Sequence, residues 1–500
     1  MQELMIWIAI APLALVVVWG TTLAVTSRRS DAGILTSRWG RWLRIFSGAV
    51  RMTFRHMLRK LRRALTPKRR REALDRAFHE RTAKAALETM GNMKGALMKL
   101  GQIVSFMDDT LPEAYKQQLK QLQRDAPPMD YDIVVRVIEA ELGRSPEKLF
   151  SRFDRQPLAS ASIGQVHRAR TRDGRDVAVK VQYPGVDRAI EGDVKNTAML
   201  MGVVGALTPN IDVKPIVEEL QARLLEELDY EHEAANQKLF VDLYGNHDKI
   251  IVPRVLPELS ARRVLTSELV EGRGFYEFLA DATPQQKKAA VAIIREFVFD
   301  SLMHHNVFNG DPHPGNYIFT KDGRIAFVDY GSVKRFDPQF IADFKHLNMC
   351  YLTGDRDGYF AKACEMRFIR EGHAHKVDRD WLWEYARWFY IPLLEENQPF
   401  HFTKEYCAKA LGQMFGPNMR KLNMPGDYLL INRITFGLNS ILALLDACEN
   451  WRELSMPYYM PDKVVAPAAA PAADAAPASS EEDVVHDLEQ PGADEPAVGA

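Results

Sequence analysis

The run NGDPHPGNYIF, residues 309–319, followed closely by FVDYG at 327–331, constrains the fold of this chain more than any other feature. Asp311 and Asn316 lie in a segment whose Pro312, Pro314 and Gly315 fix the backbone and exclude a regular helix. The apolar, β-branched patterns NYIFT and RIAFVDY then predict two short strands, the second carrying Asp329 at its end. Taken alone, N-G-D-P is a turn. Linked to a second aspartate through two strands, the same residues present carboxylate and amide oxygens from rigid backbone, a donor set suited to a hard Mg²⁺ ion.

Asp311 and Asn316 have the D-x-x-x-x-N spacing of a phosphoryl-transfer loop, and Asp329 in VDYG matches D-F-G with Tyr330 in the Phe position. A phosphate-binding segment is expected upstream. LASASIGQVHRA, residues 158–169, aligns with G-x-G-x-x-G-x-V when Ala159 and Ala161 replace the first two glycines. Ser160, Ser162 and Ile163 fill the variable places, and Gly164 and Val166 keep register. Losing two glycines restricts the backbone, so this loop should approach phosphates differently from a glycine-rich one. DVAVKV follows, with Lys180 placed to neutralise α- and β-phosphates from a strand. As an isolated tetrapeptide, AVKV would be a surface strand. The lysine needs a carboxylate from a helix, and residues 215–240 read as one long helix offering Glu227, Asp229 and Glu233. At about 100° per residue, Asp229 and Glu233 share a face and Glu227 points away. A solvated acidic face is the plainer reading of the same residues.

The two ends differ in kind. Residues 4–27 carry no charge over 24 positions, enough for a helix to cross a bilayer. Arg28, Arg29, Arg38, Arg41 and Arg44 follow, which by the positive-inside rule puts the remainder in the cytoplasm. No basic residue precedes the apolar run, so an anchor fits better than a cleaved signal. Residues 28–71 hold fifteen Arg or Lys against Asp31 alone. Beside a span, such a segment meets anionic head groups or is simply a solvated topogenic run. With no binding fold accompanying it, it does not read as a nucleic-acid surface. Residues 464–500, Ala/Pro-rich with eight acids and no Lys or Arg, lack the apolar content to fold. Cys350, Cys364, Cys407 and Cys448 show no metal or disulfide spacing, which suits a reducing compartment. RITFGLNSILALLDA, 433–447, is apolar but short and interrupted by Arg433 and Asn439, and reads as a buried helix.

KLGQ at 99–102, LPEAY, LQRDAPPM, ASASIGQVHRA, VAVK, ELDYEHEAAN, GDPHPGN and VDYG together resemble the UbiB/AarF/ADCK group of atypical protein-kinase-like proteins, over roughly residues 85–450. The resemblance implies ATP and Mg²⁺ as cofactors, Asp311 as catalytic acid, and Asn316 and Asp329 as metal ligands. It pairs Lys180 with Glu233 and places adenine against the backbone near Glu268 to Val270. Lys99, Gly101 and Gln102 of the K-x-G-Q segment would fold over the nucleotide, with Lys99 paired to Glu227 of an E-x-D motif that also contains Asp229. Members are associated with isoprenoid quinone biosynthesis and show ATPase activity more readily than phosphorylation of proteins. The usual histidine two residues before the catalytic aspartate is here Asn309, the anchor is amino-terminal, and no A-P-E segment follows Asp329.

The expected architecture is α+β: a two-lobed kinase-like fold with a helical extension, one amino-terminal transmembrane helix and a disordered tail. The expected segments are an anchor at 1–27, a basic juxtamembrane segment at 28–73 and a helical extension at 74–148. An N-lobe at 149–272, a C-lobe at 273–460 and the tail at 461–500 complete the chain. The expected protein is a single-pass kinase or ATPase on the cytoplasmic face of a bacterial inner membrane. Its expected partners are anionic lipids and a quinone-pathway small molecule or protein, with no nucleic acid. The alternatives are a small-molecule kinase, a protein kinase acting in trans, and a nucleotide-gated lipid-binding scaffold without turnover.

Overall fold

The structure is a computed structural model that describes residues 129–460 apart from 162, 189, 191–225, 227, 311–312, 370–371, 408, 410–421 and 424. The expected span, basic segment, K-x-G-Q segment and acidic tail lie outside the described residues, as do Ser162, Glu227 and Asp311. Among the described residues no helix is long and apolar enough to cross a membrane.

The smaller lobe starts with α1 (Tyr131–Leu142), closed by Gly143 in the left-handed conformation at φ 71°, and the short α2 (Pro146–Leu149). β1 (Phe150–Phe153), β2 (Ala159–Ser160), β3 (Gly164–Thr171) and β4 (Asp176–Gln182) follow. Strict alternation makes β4 informative: Val177, Val179 and Val181 are wholly buried, so the pleat turns Lys180 to the opposite face. Those valines pack with Val134 and Ile138 of α1 and with Phe150 in one apolar core.

α3 (Tyr230–Tyr244) comes next, and it corrects the expectation of one long helix over 215–240. Glu226 is helical, Leu228 sits in a turn and Asp229 is extended at φ −119°. The Asp229 carboxylate caps the new helix, accepting from the N–H groups of Glu231 and His232 at 2.9 and 3.2 Å. Asp229 and Glu233 therefore do not share a helical face. An aspartate can satisfy free N–H groups at a helix start, and here that local bond outweighs the helical periodicity of the flanking sequence. α3 also bridges the two cores, with Tyr230 in the smaller and Phe240 and Tyr244 in the larger.

β5 (Ile250–Ile251) and β6 (Val264–Glu268) follow; β6 pairs with β4, giving an antiparallel sheet in the order β1-β3-β4-β6 with β2 on β3. β7 (Arg273–Gly274) and α4 (Phe275–Asp281) lead to α5 (Pro284–Met303). α5 starts with Pro284 at its first position and a reciprocal Thr283–Gln286 capping box. β8 (Val307–Asn309), β9 (Tyr317–Phe319), β10 (Ile325–Phe327) and β11 (Val333–Arg335) carry the loops of interest. β9 and β10 pair antiparallel with Tyr317 opposite Phe327, and β8 pairs with β11 with Asn309 opposite Val333.

The rest of the larger lobe is mainly helical: α6 (Pro338–Thr353), α7 (Arg356–Glu365), α8 (Arg379–Tyr390), α9 (Gly426–Leu444) and α10 (Trp451–Tyr459). α9 contains most of the segment read as a buried helix, and Ile434, Leu438, Ile441 and Leu442 lie inside the core. All four cysteines are free.

Candidate active site

Lys180 projects from β4 toward the start of α3, where its Nζ donates to both oxygens of Glu233 at 2.8 and 2.9 Å. The Asp329 Oδ2 lies 3.7 Å from the same ammonium. Glu233 has 3% of its side chain exposed, Lys180 16% and Asp329 30%, so the carboxylate facing solvent is that of Asp329. Burial works against the charge on Lys180, but the Asp329 and Glu233 carboxylates outweigh it and hold the ammonium well above its ordinary range. Burial pushes the Glu233 carboxyl up, opposed chiefly by Lys180. The ring of Tyr230 lies beneath the ammonium, 5.0 Å from centroid to Nζ, adding a cation–π contact.

Asp329 is held from several directions. Its Oδ1 accepts from the Gly331 N–H at 3.0 Å, and its own carbonyl accepts from the Asn309 amide at 2.6 Å. The residue standing in place of the usual histidine thus ties β8 to the Asp329 turn. The next residue, Tyr330, is fully buried against Phe240 with ring centroids 5.0 Å apart, and its carbonyl accepts from the Asn236 amide. Glu233 and Asn236 are three apart on α3, so one helical face positions both Lys180 and the Asp329 turn.

Asn316 ends a 3₁₀ turn, Pro314–Asn316, whose start is braced by the Gly315 N–H donating to His313 Nδ1 at 2.9 Å. Its carbonyl accepts from the Val328 N–H at 3.1 Å. That bond extends the β9–β10 ladder and sets Asn316 beside the residue preceding Asp329. One carboxylate and one amide oxygen presented from adjoining backbone fit Mg²⁺, which is held by few protein oxygens and keeps water or phosphate ligands. Among the described residues, no cluster of three or more His, Cys, Asp or Glu forms a metal cage.

The alanine-rich segment is a tight hairpin. Ala159 and Ser160 pair with Val166 and Gln165, and the Ala161 N–H donates to the Gly164 carbonyl at 2.9 Å. Ala159 and Ser160 are exposed, whereas Ile163 is buried and its carbonyl accepts from the Tyr183 N–H. Gly164 is required sterically, because a Cβ there would strike the Val181 carbonyl and crowd the Tyr230 hydroxyl. Beneath the hairpin, wholly buried Gln165 and His167 form a polar chain: Gln165 Nε2 to His167 Nε2 at 2.8 Å, and His167 Nδ1 to the Asp154 carbonyl at 2.8 Å. Burial lowers the His167 pKa; neutral, with Nδ1 protonated, the ring satisfies both neighbours. Glu268 ends β6, its side chain accepting from the Arg254 N–H, and the Leu269 N–H donates to the Asp176 carbonyl. Val270 follows as a half-buried residue in the connection to β7.

The geometry therefore brings Lys180, Glu233 and Asp329 together, sets Asn316 against the strand end that leads into Asp329, and moves Asp229 to a capping role. Sequence reading missed Tyr230 and Asn236. Asn236 shares helical spacing with Glu233, and Tyr230 adjoins the cap; both signals were available.

Residues 121–362 match the ABC1 atypical kinase-like domain. The solved structure of Rv3197 with erythromycin, from Mycobacterium tuberculosis, aligns at a TM-score of 0.58 and 32% identity, covering 78% of this chain and 100% of that one. The chain belongs to the ABC1/AarF atypical kinase-like family. An uncharacterized aarF domain-containing protein kinase of Arabidopsis thaliana chloroplasts is 34% identical over 306 residues, 60% of this chain and 42% of the relative. The mitochondrial atypical kinase coq-8 of Caenorhabditis elegans is 30% identical over 384 residues, 74% of this chain and 49% of the relative. The chain thus spans less than half the length of these two curated relatives. The kinase-like α+β fold agrees with these likenesses.

Proposed function

We propose that this protein is a membrane-anchored atypical kinase or ATPase that binds Mg-ATP and supports isoprenoid quinone or related membrane lipid metabolism. The observation that carries the reading is the Lys180–Glu233 pair with Asp329 at 3.7 Å from the ammonium, set below a hairpin that has no room for a side chain at Gly164. Lys180, kept charged and immobile by Glu233, would neutralise the α- and β-phosphates. Asp329 and Asn316 would hold the metal, and Asp311 would orient the acceptor hydroxyl or water. Mg²⁺, when bound, supplies charge neutralisation on the phosphate oxygens. The protein's contribution is positioning and fixed charge rather than covalent chemistry.

Lys99, Gly101 and Gln102 would cover the nucleotide, with Lys99 paired to Glu227. The uncharged run at 4–27 would anchor the chain, and the basic segment after it would hold the catalytic lobes against anionic lipid. The resemblance to the UbiB/AarF/ADCK group, whose members are associated with isoprenoid quinone biosynthesis, supports the quinone assignment. The test is phosphate release from Mg-ATP by the full chain, with and without anionic liposomes and a quinone-precursor-like phenol. Turnover that rises with membrane and vanishes in Asp311→Asn is expected. Tight nucleotide binding without turnover under every condition would replace the enzyme by a scaffold.

A further inference from the structure

A cavity of about 110 Å³ lies in the helical part of the larger lobe, lined by side chains of α5, α6, α8, α9 and α10. Its wall is mostly apolar, with Leu302, Phe344, Leu438, Leu442 and Trp451 among the lining residues. Four almost entirely buried polar side chains also line it, Asn348, Asn432, Asn439 and Ser455; the Asn348 amide, like the Thr435 hydroxyl beside it, is spent on a backbone carbonyl of its own helix, whereas Asn432 is 5% exposed and Ser455 2%. Neither the Asn432 Nδ2 nor the Ser455 Oγ has a hydrogen-bond partner among the described residues. Asn432 stands near enough to the Tyr428 hydroxyl to offset slightly the burial that raises that phenol, yet its amide nitrogen makes no hydrogen bond of ordinary length.

Buried donors are normally satisfied, and each one left unpaired costs folding free energy. An amide N–H and a hydroxyl at the wall of an apolar chamber call for an acceptor oxygen on an otherwise apolar body. A water held there would need two to four polar partners and would bridge the same two groups, so an undisplaced water is one outcome of the test below. An apolar cavity of roughly 150 Å³ accommodates a benzene ring, so this chamber is of single-ring scale. We propose that the cavity binds a compact, ring-sized apolar molecule carrying an acceptor oxygen, with the Asn432 amide and the Ser455 hydroxyl as its donors. None of its lining residues belongs to the Lys180–Glu233–Asp329 site, so this proposal stands whether or not that site turns over ATP.

The test uses the full chain and two probes of equal shape, acetophenone, which carries the oxygen, and α-methylstyrene, which does not. Binding is followed by ligand-observed NMR titration and by thermal shift, in the presence and absence of ATP. The expected result is saturable binding of acetophenone that ATP does not displace, weakened about tenfold in Asn432→Leu or Ser455→Ala, the change expected for one lost hydrogen bond. α-Methylstyrene should lose nothing in either variant. Leu438→Phe, which fills the chamber, should abolish binding of both probes; should it fail to fold, the two polar variants still decide. Absence of saturable binding to the wild-type chain would overturn the proposal. So would acetophenone binding that the polar variants leave unchanged, or an ordered water bridging Asn432 and Ser455 that the probe does not displace.

Discussion

Replacing Lys180 by Met keeps a long, unbranched side chain and removes the charge that Glu233 is buried against. The wild-type ammonium makes two bonds to Glu233, at 2.8 and 2.9 Å, and Glu233 has 3% of its side chain exposed. Breaking such a pair from one side costs about 3–5 kcal/mol, because the remaining charge is stranded. Glu233 has an escape, which is to take up a proton. Its folded pKa is already raised by burial, and losing Lys180, the main opposing influence, raises it further. A carboxyl raised above its unfolded value of about 4.3 is stabilising as the acid, and that contribution is lost as pH climbs from there toward the folded pKa, at about 1.4 kcal/mol per unit. The destabilisation by Lys180→Met should therefore be several kcal/mol at pH 8 and fall to about 1–2 kcal/mol near pH 5. Urea unfolding of both chains at the two pH values, with unchanged m-values, measures this. Adding Glu233→Leu should recover most of the loss at pH 8. An equal loss at both pH values would refute the reasoning, since it would mean that no stranded carboxylate is involved.

Asn309→Ala removes the 2.6 Å bond to the Asp329 carbonyl and should cost about 1–2 kcal/mol in thermal or urea unfolding while weakening Mg-ATP binding. Gly164→Ala sets a methyl group against the Val181 carbonyl; a loss of about 1–3 kcal/mol and a lower melting temperature are expected, and a neutral result would contradict the hairpin packing. At Asp300, burial opposes the charge, but hydrogen bonds from His305, His304 and Tyr244 hold the carboxyl well below its usual range. Its contribution is full above the unfolded value of about 4 and is lost as pH falls below it. Asp300→Asn should thus cost about 1–3 kcal/mol at pH 7 and about 1 kcal/mol less near pH 3, as read by denaturant unfolding.

The chain announces its strands clearly. Val177, Val179 and Val181 alternate with the residues that face the site, and the NYIFT and RIAFVDY patterns became β9 and β10 with Asn316 and Asp329 at their ends. The helix around Glu233 was misread because hydrophobic and acidic spacing continues through Leu228–Tyr230, whereas the interruption depends on a side-chain bond from Asp229 to N–H groups ahead of it. The bracing of Asp329 was also hidden. Asn309 and Asn236 act through carbonyls distant in sequence, at Asp329 and Tyr330; the spacing of Asn236 from Glu233 marks its helical face, but nothing local to either residue names the carbonyl it meets. Asn432 and Ser455, which have polar atoms without a hydrogen-bond partner among the described residues, are invisible to a linear reading, because their significance depends on which helices enclose them.

The central claim is that Lys180, Asn316 and Asp329 compose a metal-nucleotide site, and equilibrium titration of the full chain with ATP tests it most directly. The account predicts saturable binding that requires Mg²⁺, is abolished by a chelator and is weakened at least about tenfold in Asp329→Asn, the loss of one charge-assisted metal contact. Equal affinity with and without Mg²⁺, or in wild type and Asp329→Asn alike, would contradict it.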